Sequence, residues 1–337
     1  MQLVDFTDHQ VFDNAITYTG VFMFCNEKTN AEYTIDVLNP QCFPNRDVTK
    51  YSSSILNGSV WLFHNAEAAQ LLQKMAEGCM SLKTLCKGIY QGIASGKDDV
   101  FFITQDIIDE YSLEKDLLHK ILKGKDIGPY CINWSGKYVR YPYSKEGKVI
   151  PEETLKTNYP QIYSYLLSQK DNLKGRGYFD KSNKRWYELW NQRNLERFTT
   201  SKIVTLDNAS RNSFTYDSDN YLGTTTVYSI VPIDGVNIKY VLGVLNSACL
   251  NYYHKLKTIP QQGGFYRYQA LFIQDLPIPE ANSEQQEEIS SLVDKMLSAR
   301  NDISIIKTEN VEYKIDQLVY QLYGLTEEEI RIVEGKE

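Results

Sequence analysis

Asp126 and the run Glu146-Gly147-Lys148 are spaced much as the carboxylates and lysine of a magnesium-dependent nuclease would be. That chemistry needs two carboxylates converging on one metal from the ends of buried strands. The surrounding "YSKEGKVI" reads instead as a polar turn centred on Gly147. The sequence holds no Gly-x-x-x-x-Gly-Lys-Ser/Thr phosphate loop and no Gly-x-Ser-x-Gly nucleophile elbow. Gly175-Arg176-Gly177, its single Gly-x-Gly, follows a helical pattern rather than a strand, so it is no dinucleotide fingerprint. The six cysteines are scattered without a Cys-x-x-Cys pair, and the four histidines lack ligand-spaced neighbours. Free thiols in a reducing compartment are expected, with no metal site. No catalytic residue is assigned.

Binding chemistry is better represented. "KGRGYFDKSNKRWYELWNQRNLERF" interleaves Lys174, Arg176, Lys181, Lys184, Arg185, Arg193 and Arg197 with Trp186, Tyr187 and Trp190. Such cations neutralise phosphates, while Arg, Asn and Gln can hydrogen-bond base edges. The plainer alternative is an exposed helix with solvated charges, and Trp186 and Trp190, at i and i+4, are expected to pack in the core. The net charge of −7 conceals a strong asymmetry. Residues 118–215 hold 18 basic against 9 acidic side chains, residues 1–117 hold 8 against 16, and residues 275–337 hold 6 against 15. A basic middle between acidic ends is a footprint suited to a polyanion.

The elements that must position these residues follow from periodicity. With 337 residues and 42% hydrophobic content, the chain can bury a core across roughly two domains. No apolar run of membrane-spanning length and no leader pattern is present, so a cytoplasmic protein away from membranes is expected. "ITYTGVFMF" (Ile16–Phe24) and "AEYTIDVL" (Ala31–Leu38) read as strands. A helix capped by Asn65 follows, and then short strands in "DDVFFIT", "GKYVRYPY", "SKIVTL" and "GTTTVYSI". "YPQIYSYLLSQK" is a helix between them, and Asn237–Leu256 predicts one longer buried helix. Beyond Pro277 and Pro279, an acidic helical tail opens with a Ser283–Gln286 capping box. It ends with a Gly324 stop and a Thr326–Glu329 capping box. The fold class is α+β: a mostly antiparallel domain with inserted helices at 61–279, short strands at 1–60, and a helical tail at 280–337.

The order of motifs is familiar. "KGIYQGIASGKDDVFFIT", "LKGKDIGPY", "KYVRYPY", "YPQIYSYLLSQKDNLKGRG", "RWYELWNQRN", "FTTSKIVTLDNAS", "YVLGVLNSACLNYYHKL", "GGFYRYQALFIQDLPIP" and "IDQLVYQLYGLTEEEI" follow one another. Together they resemble the C-terminal specificity region of TaqI-like N6-adenine DNA methyltransferases, including type IIG restriction-modification enzymes. The resemblance covers roughly residues 80–335, and residues 1–40 look like the last strands of that family's catalytic domain. The S-adenosylmethionine glycine loop and the Asn-Pro-Pro-Tyr motif are missing, since no two prolines are adjacent. The resemblance therefore implies a fragment or separately encoded specificity piece, inactive in methyl transfer alone. S-adenosylmethionine would belong to the catalytic half, and double-stranded DNA and that half would be the partners. A nuclease using Asp126, Glu146 and Lys148, or a structural module docking through its acidic tail, are the competing readings.

Loops on a rigid scaffold are the natural DNA contacts. Ser95 and Lys97 flank Gly96 in a small turn, which would otherwise be an ordinary hairpin. Arg140, Tyr143 and Lys145 lie at a strand end, while Lys184 and Arg185 precede Trp186, with Arg193 further on. Asn208 and Arg211 follow "KIVTL" in a loop suited to base edges. Gly263 and Gly264 would allow close backbone approach to a phosphate, with Tyr266 and Arg267 toward DNA. The alternative there is a tight turn with Arg267 paired to an acid.

Overall fold

The structure, a computed structural model, describes residues 1–6, 11–12, 19–24, 32–38, 48–56, 63–177, 179, 181–258, 260–261, 263–299 and 305–336. The turn "CNEKTN" and the start of each flanking strand lie outside the described residues. What is described there forms a four-stranded sheet in the order Gly20–Met23, Gln2–Asp5, Thr34–Leu38, Val48–Ser52. Its one parallel pair is Gln2–Asp5 with Thr34–Leu38.

Two further four-stranded sheets carry the middle of the chain. The central sheet runs Phe214–Asp217, Lys202–Leu206, Val227–Pro232, Cys86–Gln91, antiparallel throughout. "KIVT" is apolar or uncharged after its lysine and buried along its whole length, as a strand covered on both faces must be. Ile203 points into a cluster with the helices Ala66–Ala76, Ile238–Asn246 and Ala248–Lys257, whereas Val204 packs with Leu122, Ile127, Tyr221 and Val227 on the opposite face. The second sheet runs Leu222–Gly223, Leu118–Leu122, Lys137–Arg140, Phe102–Thr104, parallel in its first pair. Helices Glu152–Asn158 and Pro160–Ser168 cover it with Leu155, Ile162 and Leu166. The architecture is α+β, as expected, although "DDVF" forms a single helical turn, Asp98–Phe101, before its strand begins.

The helical pattern Asn237–Leu256 is broken in two. Ser247 closes Ile238–Asn246 and caps Ala248–Lys257, its hydroxyl accepting from Leu250 N at 3.2 Å. The Ala248 N–H is met by Asp316 Oδ1 at 2.8 Å. Apolar periodicity continues through this elbow because both helices bury the same side, so only the serine betrayed it. In the tail, the first capping box belongs to Asn282 and Gln285, one residue before the expected pair. Their side chains accept from each other's backbone N–H at 2.9 and 3.0 Å. The Asn65 cap, the left-handed Gly324 stop and the Thr326–Glu329 box stand where the sequence puts them. The tail helices Ser283–Ala299 and Ile305–Leu322 insert Ile289, Val293, Met296, Ile315 and Val319 into the same core as Ile203 and Phe214. Tyr240 and Tyr323 donate to the carbonyls of Pro279 and Pro277 at 2.6 and 2.7 Å, fastening the proline segment before the tail to both sides of the core.

One ion pair is sealed inside this core. Lys202 and Asp217, opposite each other in the ladder, are in contact and inaccessible to solvent. Lys202 also donates to Phe198 O at 2.6 Å, and Asp217 accepts from Asp219 N and Tyr221 N at 2.9 and 3.1 Å. Burial pulls the lysine pKa down and pushes the aspartate up, each opposed by its partner. Removing one partner strands the other charge, so Lys202→Met should destabilise by about 3–5 kcal/mol in urea denaturation. Lys202→Met combined with Asp217→Leu should recover most of that loss, and an equally unstable double variant would show the pair to be incidental.

Candidate nucleic-acid interface

The central strand Val227–Pro232 is antiparallel to both neighbours, so Cys86–Gln91 and Lys202–Leu206 run the same way. Tyr228 stands opposite Gln91 on one side and Thr205 on the other. Both outer strands therefore release their C-terminal loops at one sheet edge: residues 92–97 from one, residues 207–213 from the other. The second sheet delivers a third loop there. Thr224 N donates to Leu122 O at 2.9 Å, and Gly124 N donates to Thr226 Oγ1 at 3.0 Å, bringing Lys123 and Lys125 to the same edge. The sheets touch where Gly92 passes Gly223, so closely that a Cβ on Gly92 would lie 2.0 Å from the Gly223 carbonyl oxygen.

A hairpin supplies the fourth loop. Gln261 and Phe265 bridge its base, and Gly263 and Gly264 are both left-handed (φ 82° and 75°), a conformation that glycine adopts without steric penalty. Tyr266–Arg267 then pairs with Asn208–Ala209, Arg267 opposite Asn208 and Tyr266 opposite Ala209. Two segments singled out separately in the sequence thus form one surface. Beneath it, His254 Nε2 lies 3.0 Å from Arg267 O and its ring 4.3 Å from that of Tyr268. The Tyr268 hydroxyl donates to Asn212 Oδ1 at 2.9 Å, and Asn212 Nδ2 donates to Leu245 O at 2.6 Å. Asn212 N in turn donates to Asn251 Oδ1 at 2.9 Å, so the exposed Arg211 projects from a pinned loop. Gln261, its amide oxygen facing Arg267, accepts from Nη2 at 3.1 Å and from Nε. An amide rather than an acid therefore orients this arginine.

The remaining nominated residues divide by burial. Lys97 is half-buried and pairs with Asp99 at 3.1 Å, next to the ion pair of Lys123 with Asp98 at 2.9 Å. Ser95 is buried and turned inward, donating to Asp98 Oδ1. Arg193 donates through Nε to Gln91 O at 2.9 Å, and its own backbone N–H and carbonyl are both engaged by the Tyr141 hydroxyl. Desolvation lowers the Arg193 pKa. Tyr143 is buried, accepting from Leu189 N at 2.7 Å, so it holds the backbone of the basic–aromatic segment. Arg185 donates to Tyr187 Oη at 3.0 Å, and Lys184 lies 3.7 Å from Glu188. Lys145 is exposed on the hairpin turn, with its carbonyl accepting from Leu195 N. Arg140 is fully buried, stacked 4.2 Å over Tyr165, and all three guanidinium nitrogens are without a hydrogen-bond partner. Burial draws its pKa down to about 10, with Tyr165 opposing. Val139, Arg140 and Tyr141 are all fully buried, so both faces of this strand end are covered and Arg140 is enclosed. The segment carrying Trp186 and Trp190 is irregular rather than helical; Tyr187 and Leu189 take the core positions and Trp190 stays 40% exposed.

Asp126 and Glu146 occupy separate turns. Asp126 caps its own turn by accepting from Lys123 N at 2.8 Å, and Glu146 accepts from Ser144 Oγ at the exposed hairpin. Among the described residues, no group of three acidic, histidine or cysteine side chains is placed to hold a metal. Lys123 and Lys125 are the interface residues that sequence reasoning missed. "LKGKD" directly follows a strand, the same signal that identified Asn208 and Arg211.

Four loops carrying cations and carboxamides on one sheet edge make a surface for a polyanion, and residues 119–278 match the family model of the TaqI-like C-terminal specificity domain. That segment is similar to the specificity domains of this class. The chain is 29% identical to the type II methyltransferase M.MjaIV of Methanocaldococcus jannaschii over 71% of its own length and 79% of that protein. It is 22% identical to the type II methyltransferase M.BstVI of Geobacillus stearothermophilus over 81% of its length, spanning 46% of that relative. In fold it is similar to the type IIL restriction-modification enzyme MmeI, solved with DNA: TM-score 0.60 at 13% identity, over 99% of this chain and 44% of that one.

Two outcomes test this geometry. Arg140→Met should leave duplex affinity unchanged, because the guanidinium is sealed from solvent and stacked on Tyr165; weakened binding would restore Arg140 to the interface. His254 is sealed, and burial lowers its pKa to about 4, against about 6.5 in an unfolded chain. Between those values the unfolded chain binds a proton that the native chain refuses, so stability falls as pH falls, by up to about 3 kcal/mol. Asp316, raised by burial to about 6, titrates with the opposite sign but is common to both proteins. His254→Gln keeps a donor toward Arg267 O and should flatten the acid loss seen by urea denaturation. An unchanged pH profile would contradict the buried neutral ring.

Proposed function

We propose that this chain recognises double-stranded DNA sequence-specifically and presents a target adenine to the methyltransferase module of a restriction-modification system. The observation that carries the reading is the gathering of Lys97, Lys123, Lys125, Asn208, Arg211 and Arg267 at one sheet edge from four separate parts of the chain. Lysines there would neutralise phosphates, and Asn208, Arg211 and Arg267 have the donors and acceptors for base edges. The chain spans less than half of M.BstVI, and catalysis with S-adenosylmethionine is assigned to a methyltransferase half in the same or a separate chain. The sheet of residues 2–52 would join that half, and this chain by itself would transfer no methyl group. No helix among the described residues is long and apolar enough to cross a membrane, and the cytoplasm, with its DNA, is the proposed location.

Duplex affinity measured by fluorescence anisotropy should fall steeply with salt, log K against log [salt] having a slope of about −4 to −5 if about five phosphates are neutralised. Lys125→Ala should reduce that slope by about one, and Arg211→Ala should relax discrimination between sequences. Affinity indifferent to salt, or no duplex binding, would sink the proposal.

A further inference from the structure

Phe265 stands at the base of the interface hairpin, bridged to Gln261, with 45% of its surface in solvent. The hydrophobic clusters of the described residues do not include it. Its ring lies over Gly263, where a Cβ would come within 3.4 Å of Cδ2, so the glycine serves as a flat floor. The backbone beneath is fixed: Gln261 N donates to Phe265 O at 2.7 Å, and two residues on the chain enters the ladder with Asn208. Successive side chains of a strand alternate sides, and the burial follows suit. Tyr266 turns under Lys255, 5.4 Å away, and Tyr268 is buried, while Phe265 and Arg267 both face solvent. A planar apolar group and a cation are thus presented side by side, about 6.6 Å apart along the strand.

We propose that Phe265 is a stacking residue that enters the duplex at an unstacked base step, with Arg267 on the adjoining phosphate. This rests on the DNA-binding reading above and specifies how one loop engages its ligand. The ligand chemistry is a nucleobase face next to a phosphate: the ring replaces stacking lost when a base leaves the helix, as apolar wedges at kinked steps do. The hydrogen bond from Gln261 N to Phe265 O suits the role, because the backbone bearing the ring is already held in place.

The test uses the full chain and a fluorescein-labelled duplex, intact or carrying one internal abasic site, which opens a gap in the stack without an unstacking penalty. The wild-type chain should bind the abasic duplex about five-fold or more tightly than the intact one. Phe265→Ala should abolish that preference by weakening binding to the abasic duplex about five-fold and to the intact duplex by less, and Phe265→Trp should restore it. With 2-aminopurine placed beside the gap, wild type but not Phe265→Ala should quench its emission. A wild-type chain that binds both duplexes equally, or a Phe265→Ala chain that keeps the preference, overturns the stacking role and leaves duplex recognition intact. Equal weakening of Phe265→Ala on both duplexes overturns it too, by making the ring part of the scaffold. Failure of wild type to bind either duplex removes both proposals.

Discussion

Everything at the candidate interface depends on Val227–Pro232 being hydrogen-bonded on both sides by strands of like direction. That one constraint sends the chain out of the sheet twice at the same edge, after Gln91 and after Leu206, although these positions are far apart in sequence. The contact of Gly92 with Gly223 adds the second sheet's loop at the same place. The buried Lys202–Asp217 pair favours this register: sliding Lys202–Leu206 by one residue would turn Lys202 to the other face and leave Asp217 buried without its partner. Such a pair contributes little net stability but penalises wrong alignments.

The basic middle of the chain serves two purposes that composition cannot separate. Arg176 spends its guanidinium on the carbonyls of Leu173, Trp186 and Glu188, Arg193 ties itself to Gln91, and Arg140 and Lys202 are buried. Arg176 and Lys202 thereby tie down irregular backbone at Leu173, Trp186, Glu188 and Phe198. Others, Lys125, Arg211 and Arg267 among them, face solvent. The charge excess of residues 118–215 is therefore partly scaffold, and the surface available to a polyanion is narrower than the count of lysines and arginines suggests.

Much of this was legible in advance, for physical reasons. Period-2 and period-3.6 patterns located most strands and helices, and glycine and side-chain caps marked several of their ends, because those signals are local. The elbow at Ser247 escaped because both helices bury the same face, and the Asn282 cap escaped because serine and asparagine cap equally well. For the site, Asn208, Arg211 and the glycine hairpin were identified as loops, but their pairing was invisible: a ladder between residues 208–209 and 266–267 leaves no periodicity in either segment. Arg140 and Tyr143 were misjudged because a strand-end residue's side depends on which face is covered, and that is settled by helices elsewhere in the chain.

The short ladder between Asn208–Ala209 and Tyr266–Arg267 is made by main-chain groups, and the outward side chains take no part in it. Its geometry is consequently indifferent to what those side chains are. Asn208 and Arg267 could be exchanged for other polar residues with the loops still meeting, so a surface that reads DNA as proposed would change its preference by substitution alone. The hairpin thus separates inheritance of shape from inheritance of selectivity, which lets one scaffold diversify without refolding.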